Sequence, residues 1–170
     1  MKQSTDIDAV DQQLLRLLQQ DASRSNQDLA QAIGISAPTC LRRVRRLHTA
    51  GLIERQVAIL RPEPLAEHYG EGLQAILEVT LERQSAQDLD AFEHRAVADD
   101  EVSQCWRVSA GPDFVLVVLV RDMPAYQALV QRLLGVQTNV RNVRTFFAVR
   151  RAKCNPMVWL PNGDHHSATT

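Results

Sequence analysis

The chain lacks the features that mark membrane, secreted and metal-binding proteins. No segment approaches the roughly 20 apolar residues of a membrane-spanning helix, and acids occur in the first thirty residues, where a signal peptide has an apolar core. The 3 cysteines, Cys40, Cys105 and Cys154, are odd in number and widely spaced, which indicates reduced thiols rather than a disulfide framework or a metal site. We therefore expect a cytoplasmic protein with no membrane partner, no metal and no resident cofactor.

Charge is distributed unevenly along the 170 residues, although the chain as a whole has 19 basic and 20 acidic residues and a net charge of −1. The first sixty residues contain eight bases and six acids, and four of those bases fall within positions 42–46. Acids exceed bases in the remainder of the chain. The composition predicts a basic module followed by an acidic one, so that any nucleic-acid site must be local.

Apolar spacing in the basic module predicts three short helices. Asp8 and Asp11 have the spacing of an N-terminal cap, and leucines recur at helical intervals over residues 9–20. A second helix ends at Gly34, and Ser36 caps a third helix. Two short helices joined by a glycine-centred turn, the second of them rich in arginine, are typical of a helix-turn-helix.

The third helix carries the candidate DNA-binding residues. No acid stands three or four positions from its arginines, and the planar fork of arginine suits phosphates and guanine edges. We expect Thr39, Arg42 and Arg46 to contact base edges. Arg43 and Arg45 are then phosphate contacts, although the two roles are interchangeable on sequence alone. We therefore expect double-stranded DNA as the partner and a nucleoid-associated location. The alternative is that the arginines form only a solvated, charged helix face. The expected DNA-binding residues are Ser36, Pro38, Thr39, Arg42, Arg43, Arg45 and Arg46.

The acidic module has the element order βαββαβ, in which two helices cover one face of a four-stranded antiparallel sheet. Leu77, Val79 and Leu81 alternate with polar residues and predict the first strand, whereas the third strand, 114–120, is apolar on both faces. An extended segment over 52–60 and a proline-rich break at 61–64 precede the module. Helices are expected over about 86–98 and from Asp122 to Gly135, with the other two strands over 102–109 and 143–149.

The second face of this sheet needs a cover, because strand 114–120 and the adjacent pair Phe146 and Phe147 place apolar side chains on both sides. The simplest cover is the same sheet of a second copy. We therefore expect a homodimer, which also provides two recognition helices for two DNA half-sites.

The whole layout resembles the Lrp/AsnC family, the leucine-responsive and asparagine-responsive transcriptional regulators of bacteria and archaea. The resemblance covers residues 6 to about 153. It is carried by Ile7-Asp8 and Asp11 before Leu14-Leu15, Leu29-Ala30, Gly34-Ile35-Ser36, the run Cys40-Leu41-Arg42-Arg43-Val44-Arg45-Arg46-Leu47, Gly51-Leu52-Ile53, Gly111-Pro112-Asp113-Phe114 and Arg144-Thr145.

The resemblance implies an α+β fold, with an N-terminal winged helix-turn-helix joined to a C-terminal βαββαβ, ferredoxin-like regulatory domain. It also implies dimers that assemble to octamers or higher. The expected divisions are a helix-turn-helix domain over 1–54, a linker strand and hinge over 55–72, an effector-binding and oligomerisation domain over 73–153, and a C-terminal tail over 154–170. The tail lies outside the resemblance, and we expect its Val158 and Trp159 to dock on a neighbouring surface.

The resemblance further implies a small amino-acid effector bound between dimers. Gly111 would let the backbone approach the ligand, and Asp113 would accept from an α-ammonium group. Gly111-Pro112-Asp113 is also typical of an ordinary tight turn. Bulky Phe146-Phe147 either selects an apolar effector, such as leucine or methionine, or closes the pocket. The matching positions are Ala110, Gly111, Asp113, Met123, Phe146, Phe147 and Ala148.

Three alternatives remain beside an amino-acid-responsive regulator. One is an enzyme, since siroheme decarboxylases resemble this two-part architecture, but Cys105-Trp106-Arg107 contains no histidine and the sequence has no Ser/His/Asp set or phosphate loop. A second is an amino-acid sensor that no longer binds DNA, against which the four arginines argue. The third is a DNA-binding protein that responds to no effector.

Overall fold

Six helices and four strands follow one another in the computed structural model, which describes residues 6–135 and 139–161. The chain divides into two units, one formed by residues 1–59 with 154–170 and the other by residues 60–153. The helices are α1 (Ala9–Gln20), α2 (Asn26–Ile33), α3 (Ala37–Thr49), α4 (Pro62–Tyr69), α5 (Ala86–Val97) and α6 (Met123–Leu134). The strands are β1 (Leu73–Leu81), β2 (Val102–Arg107), β3 (Phe114–Val120) and β4 (Val140–Phe147).

Local hydrogen bonds define the three helices of the first unit. The Asp8 side chain accepts from the backbone N–H of Asp11 while the Asp11 side chain accepts from the backbone N–H of Asp8, and Ser25 and Asp28 repeat this capping box on α2. Gly34 ends α2 with φ of 72°, a left-handed conformation that glycine adopts without steric cost. The predicted helices and caps of this unit are confirmed.

The core of the first unit is small and apolar. Its buried residues come from all three helices, so each helix contributes one apolar face. Burial raises the pKa of the Cys40 thiol, which keeps this side chain a neutral core residue. The buried hydrophobic residues are Leu14, Leu18, Leu29, Ala30, Cys40 and Leu47.

The segment between Gly51 and the sheet differs from the prediction. Residues 52–61 pair with no strand in the part of the chain that the structure describes, so neither the linker strand nor a wing is seen there. Helix α4 was not predicted, because Pro62 and Pro64 look like a break. Both prolines lie in the first turn of α4, where backbone N–H groups have no intrahelical partner.

The second unit has the predicted βαββαβ arrangement. Its sheet is antiparallel with strand order β2-β3-β1-β4, and its core residues come from one face of the sheet and from α5 and α6. Phe92 of α5 and Phe114 of β3 meet at the centre, with ring centroids 4.7 Å apart. Strand β4 spans Val140–Phe147 rather than 143–149, because its pairing with β1 already begins at Val140.

The other face of the sheet carries an apolar cluster, which we call the open face. Strand register places Val117, Ile76 and Phe146 side by side across β3, β1 and β4. Phe147 lies on the opposite, helix-covered face, with its ring centroid 5.0 Å from that of Tyr126. The open face includes the large apolar residues Ile76, Trp106, Leu119 and Phe146, whose exposed fractions are 40%, 59%, 53% and 44%, respectively.

The C-terminal segment lies against α1 in the first unit. The backbone N–H of Val158 donates to Oε1 of Gln19 at 2.7 Å, and the Arg16 guanidinium donates to the carbonyl oxygen of Pro161. Trp159 remains 83% exposed, so this contact is formed by polar groups rather than by the apolar side chains from which docking was expected. Residues 162–170 of the predicted tail lie outside the described residues.

Candidate DNA-binding and effector sites

The four arginines of α3 occupy two different environments. Arg42 and Arg45 are exposed and have no side-chain hydrogen bond or ion pair with another residue in the described ranges. Arg43 and Arg46 are partly buried and pair with carboxylates of the first helix. The run is therefore half neutralised, although it has no acid three or four positions away on its own helix.

Asp11 is the centre of this ion-pair network and is fully buried. Its Oδ1 accepts from Nη1 of Arg43 at 3.0 Å, and its Oδ2 accepts from Nη2 of Arg46. A buried carboxylate needs such partners because removing it from water is costly. Sequence reasoning assigned Asp11 only a capping role, since its two partners are 32 and 35 positions away and no local spacing connects them.

Asp8 extends the network at the surface. Its Oδ2 accepts from Nη1 of Arg43 at 2.7 Å. The backbone N–H of Asp11 and the Arg43 guanidinium hold the pKa of the Asp8 carboxyl below its ordinary value, and the Asp8 and Asp11 carboxylates raise the pKa of Arg43. Both groups stay ionised near neutral pH, so the pair is present under ordinary conditions.

The remaining predicted DNA-binding residues lie at the N-terminal end of α3. Ser36 caps the helix, and its hydroxyl donates to the Thr39 hydroxyl at 2.8 Å. Pro38 is exposed in the first turn. Helical geometry places Pro38, Arg42 and Arg45 on one solvent-facing side, whereas Thr39 and Arg46 lean towards α1.

The predicted effector turn has an unusual backbone. Ala110 has φ of 66° and Gly111 has φ of 122°, and the latter conformation is open essentially to glycine alone. Open space surrounds the position of a Cβ on Gly111, so backbone conformation rather than crowding requires glycine here. The Asp113 carboxylate is engaged within the chain, since its Oδ2 accepts from the backbone N–H of Leu81 at 2.7 Å and from Nε2 of Gln84 at 3.1 Å.

These contacts predict a structural effect of Asp113 that needs no ligand. Asp113→Ala is expected to lower the free energy of unfolding by about 1 to 2 kcal/mol, because the Leu81 N–H loses its partner. Asp113→Asn keeps an oxygen acceptor and is the matched variant, which we expect to retain most of the stability. Denaturant unfolding without amino acids measures both; an Asp113→Ala protein as stable as the wild type would contradict this account.

The predicted effector residues fall into two groups at opposite ends of the sheet. The turn 110–113 precedes β3, whereas Met123 follows it, about 20 Å away for a strand of this length. Phe146 and Phe147 pair with Ile76 and Ala75, towards the Met123 end. One chain therefore does not bring all of the predicted residues to a single pocket.

Comparison with known proteins decides the family. The profile of the AsnC-type helix-turn-helix domain matches residues 7–48, and that of the Lrp/AsnC ligand binding domain matches residues 74–158. The leucine-responsive regulatory protein of Rhizobium meliloti is 38% identical over 148 residues, which cover 87% of this chain and 92% of that protein. This chain belongs to the Lrp/AsnC family. It is a DNA-binding transcriptional regulator with a helix-turn-helix and a ligand-binding domain.

Other transcriptional regulators agree with this chain in sequence and fold. The Bkd operon transcriptional regulator of Pseudomonas aeruginosa is 34% identical over 145 residues, covering 85% of this chain and 92% of that protein. An AsnC family regulator from Agrobacterium tumefaciens superposes with a TM-score of 0.75 at 28% identity, over 89% and 95% of the two chains. A Neisseria meningitidis transcriptional regulator in complex with L-methionine superposes with a TM-score of 0.74 at 25% identity, over 90% of this chain and 96% of that chain.

Two kinds of feature are missing from the described residues of this Lrp/AsnC protein. Residues 6–135 and 139–161 contain no group of three or more histidine, cysteine, aspartate or glutamate side chains placed to hold a metal ion. Within the same ranges, no helix has the length and apolar character needed to cross a membrane.

Proposed function

We propose that this regulator binds double-stranded DNA through α3 and that a small apolar amino acid, such as leucine or methionine, alters its DNA affinity or assembly. The observation that carries the proposal is the exposed, unpaired charge of Arg42 and Arg45 on the second helix of a helix-turn-helix. Unpaired guanidinium groups on such a helix bind phosphates and guanine edges.

The DNA-binding form is a homodimer joined through the open face. An apolar cluster in the middle of a sheet marks a protein interface, because water is an unfavourable neighbour for it. Arg144 pairs with Glu78 at 3.2 Å beside the cluster and lies 5.3 Å from the Phe146 ring, so the cluster has a polar rim. A second open face provides matching apolar surface and the same rim, and dimers then assemble further to octamers or higher.

The effector site is shared between chains. The turn 110–113 and the Met123 end of the sheet are too far apart to contact one amino acid within a single chain, so one group comes from each of two subunits. The turn presents backbone groups and the remaining oxygen of Asp113, whereas Met123 and Phe146 supply apolar surface. The L-methionine complex of the Neisseria meningitidis regulator supports an effector of this chemical class.

A thermal-shift screen against the twenty amino acids, followed by DNA-binding measurements, tests the proposal. A ligand that binds only the folded protein stabilises it by about 2.7 kcal/mol at a concentration of 100 Kd, so an apolar L-amino acid is expected to raise the melting temperature. Its D-enantiomer is the control. The same L-amino acid is expected to change the affinity for a duplex that the protein selects from a random-sequence pool.

The two parts of the proposal fail in different ways. If no amino acid raises the melting temperature while the selected duplex still binds, the effector part is wrong and the protein is an effector-independent DNA-binding regulator. If no duplex is enriched from the pool, the DNA-binding role of α3 is wrong.

A further inference from the structure

We propose that Asp11 divides the four arginines of α3 into two pairs with different tasks. Arg43 and Arg46 are positioning residues that fix α3 to α1, and Arg42 and Arg45 are the residues that contact DNA. This inference rests on the proposed use of α3 to bind DNA and goes beyond it by assigning the specificity-determining side chains.

Both terminal nitrogens of Arg46 already donate within the first unit, although the side chain is 41% exposed. Its Nη2 donates to Oδ2 of Asp11, its Nη1 donates to the carbonyl oxygen of Asp6 at 3.4 Å, and its Nε is buried without a partner among the described residues. Reading guanine requires two adjacent N–H groups of one guanidinium, both directed at the base. The guanidinium of Arg46 is therefore held to the first unit through both Nη atoms, and its Nε is shielded from solvent.

Arg43 is held in a similar way. Its Nη1 donates to Oδ2 of Asp8 at 2.7 Å and to Oδ1 of Asp11 at 3.0 Å, and its Nε is buried. The side chain is 21% exposed, so only Nη2 is left to face outwards. One nitrogen alone cannot form the bidentate contact, with two nitrogens on two acceptor atoms, by which arginine recognises guanine.

The two free charges are placed together. Arg42 and Arg45 are three positions apart and therefore neighbours on the helix surface. Pro38, four positions before Arg42, and Thr49, four positions after Arg45, lie on the same side and are exposed. The proposed DNA-facing surface is therefore Pro38, Arg42, Arg45 and Thr49, in place of the base-edge contacts Thr39, Arg42 and Arg46 that we expected from the sequence.

Four arginine-to-methionine variants test this division, because methionine removes the charge and keeps much of the apolar stem. If Arg42 or Arg45 contacts a phosphate, its methionine variant is expected to reduce the slope of log association constant against log salt concentration by about 0.9. If it contacts a base, the variant is expected to weaken binding to the selected duplex by about 5- to 140-fold relative to the unselected pool. The melting temperature of these two variants is expected to equal that of the wild type. Arg43→Met and Arg46→Met are expected to melt earlier but to keep the wild-type salt slope and selected-to-unselected ratio.

Asp11→Asn tests the division in a second way, through the salt dependence of DNA binding. If Asp11 only stabilised the fold, its loss would not be expected to make DNA binding tighter. Asparagine keeps an oxygen for the α1 cap but loses the charge that pairs with Arg46 and with Arg43. Asp8 still holds Arg43, whereas Arg46 becomes available to phosphates, so the salt slope is expected to steepen by about 0.9, with tighter binding to the unselected pool. Asp28→Asn, at the equivalent cap position of α2, is the matched control and is expected to leave the slope unchanged.

Lysine variants test the roles of Arg43 and Arg46 if a methionine variant does not fold. Arg43→Lys and Arg46→Lys keep an ion pair with Asp11 but lose the guanidinium fork, and we expect an unchanged selected-to-unselected ratio. The proposal is overturned if Arg46→Lys or Arg46→Met loses that ratio at an unchanged melting temperature, or if Arg42→Met and Arg45→Met bind like the wild type. If the wild type enriches no duplex at all, the proposed function and this assignment both fail.

Discussion

Ile76→Lys is expected to convert the proposed homodimer to monomers. Ile76 lies at the centre of the open face, between Val117 and Phe146 in the strand register, and is 40% exposed in the single chain. In a dimer joined through this face, the lysine ammonium would be buried among apolar groups without a carboxylate partner, which is strongly unfavourable. Sedimentation velocity measures the change in mass.

The same variant is expected to lose about 100-fold or more in affinity for the selected duplex. A monomer presents one recognition helix to one half-site and loses the gain from two linked contacts. Val97→Lys is the matched control, because Val97 is 68% exposed on α5, in the layer that covers the other face. Circular dichroism checks that both variants are folded. A protein with Ile76→Lys that sediments as a dimer would show that the open face is not the interface.

Asp11→Ala is expected to lower the free energy of unfolding of the first unit by about 2 to 4 kcal/mol. Removing one partner of a buried ion pair costs about 3 to 5 kcal/mol. We place the expected value slightly lower because the Arg43 and Arg46 side chains keep 21% and 41% exposure and are partly hydrated after the change. The lost cap on α1 contributes to the same total.

Asp28→Ala separates the capping contribution from that of the ion pairs. Asp28 occupies the same capping-box position in α2 as Asp11 does in α1, but it is exposed and no arginine pairs with it in the described ranges. We expect it to cost about 0.5 to 2 kcal/mol. Amide hydrogen exchange of α1 and α3 reports on the first unit alone, which matters in a chain of two units. Equal losses in the two variants would show that the arginines add nothing to the stability of α1.

Much of the fold follows from interactions between near neighbours in the sequence. The capping boxes of Asp8 with Asp11 and of Ser25 with Asp28 link residues three positions apart, and the alternation of apolar residues in β1 assigns its faces directly. Helix α4 is the exception, because Pro62 and Pro64 are compatible with both a break and a first turn. Its existence depends on the residues that follow.

The candidate sites were less predictable because their residues are distant in sequence. The segment at 110–113 was located correctly as a turn, but no spacing shows that Asp113 accepts from the backbone of Leu81, 32 positions away. Likewise, the turn and Met123 are separated by the whole length of β3, and this is why we do not expect a single chain to form the predicted pocket.

The sequence by itself determined the two-part architecture, the arginine-rich recognition helix and the apolar open face, because helix caps, period-2 alternation and charge runs are local patterns. The tertiary structure alone decided which arginines of that helix form ion pairs with carboxylates. The packing of α1 against α3 brings the buried Asp11 to Arg43 and Arg46, and a charge removed from water must take the partners that packing supplies. Arg42 and Arg45, on the other side of the same helix, keep their full charge at the surface.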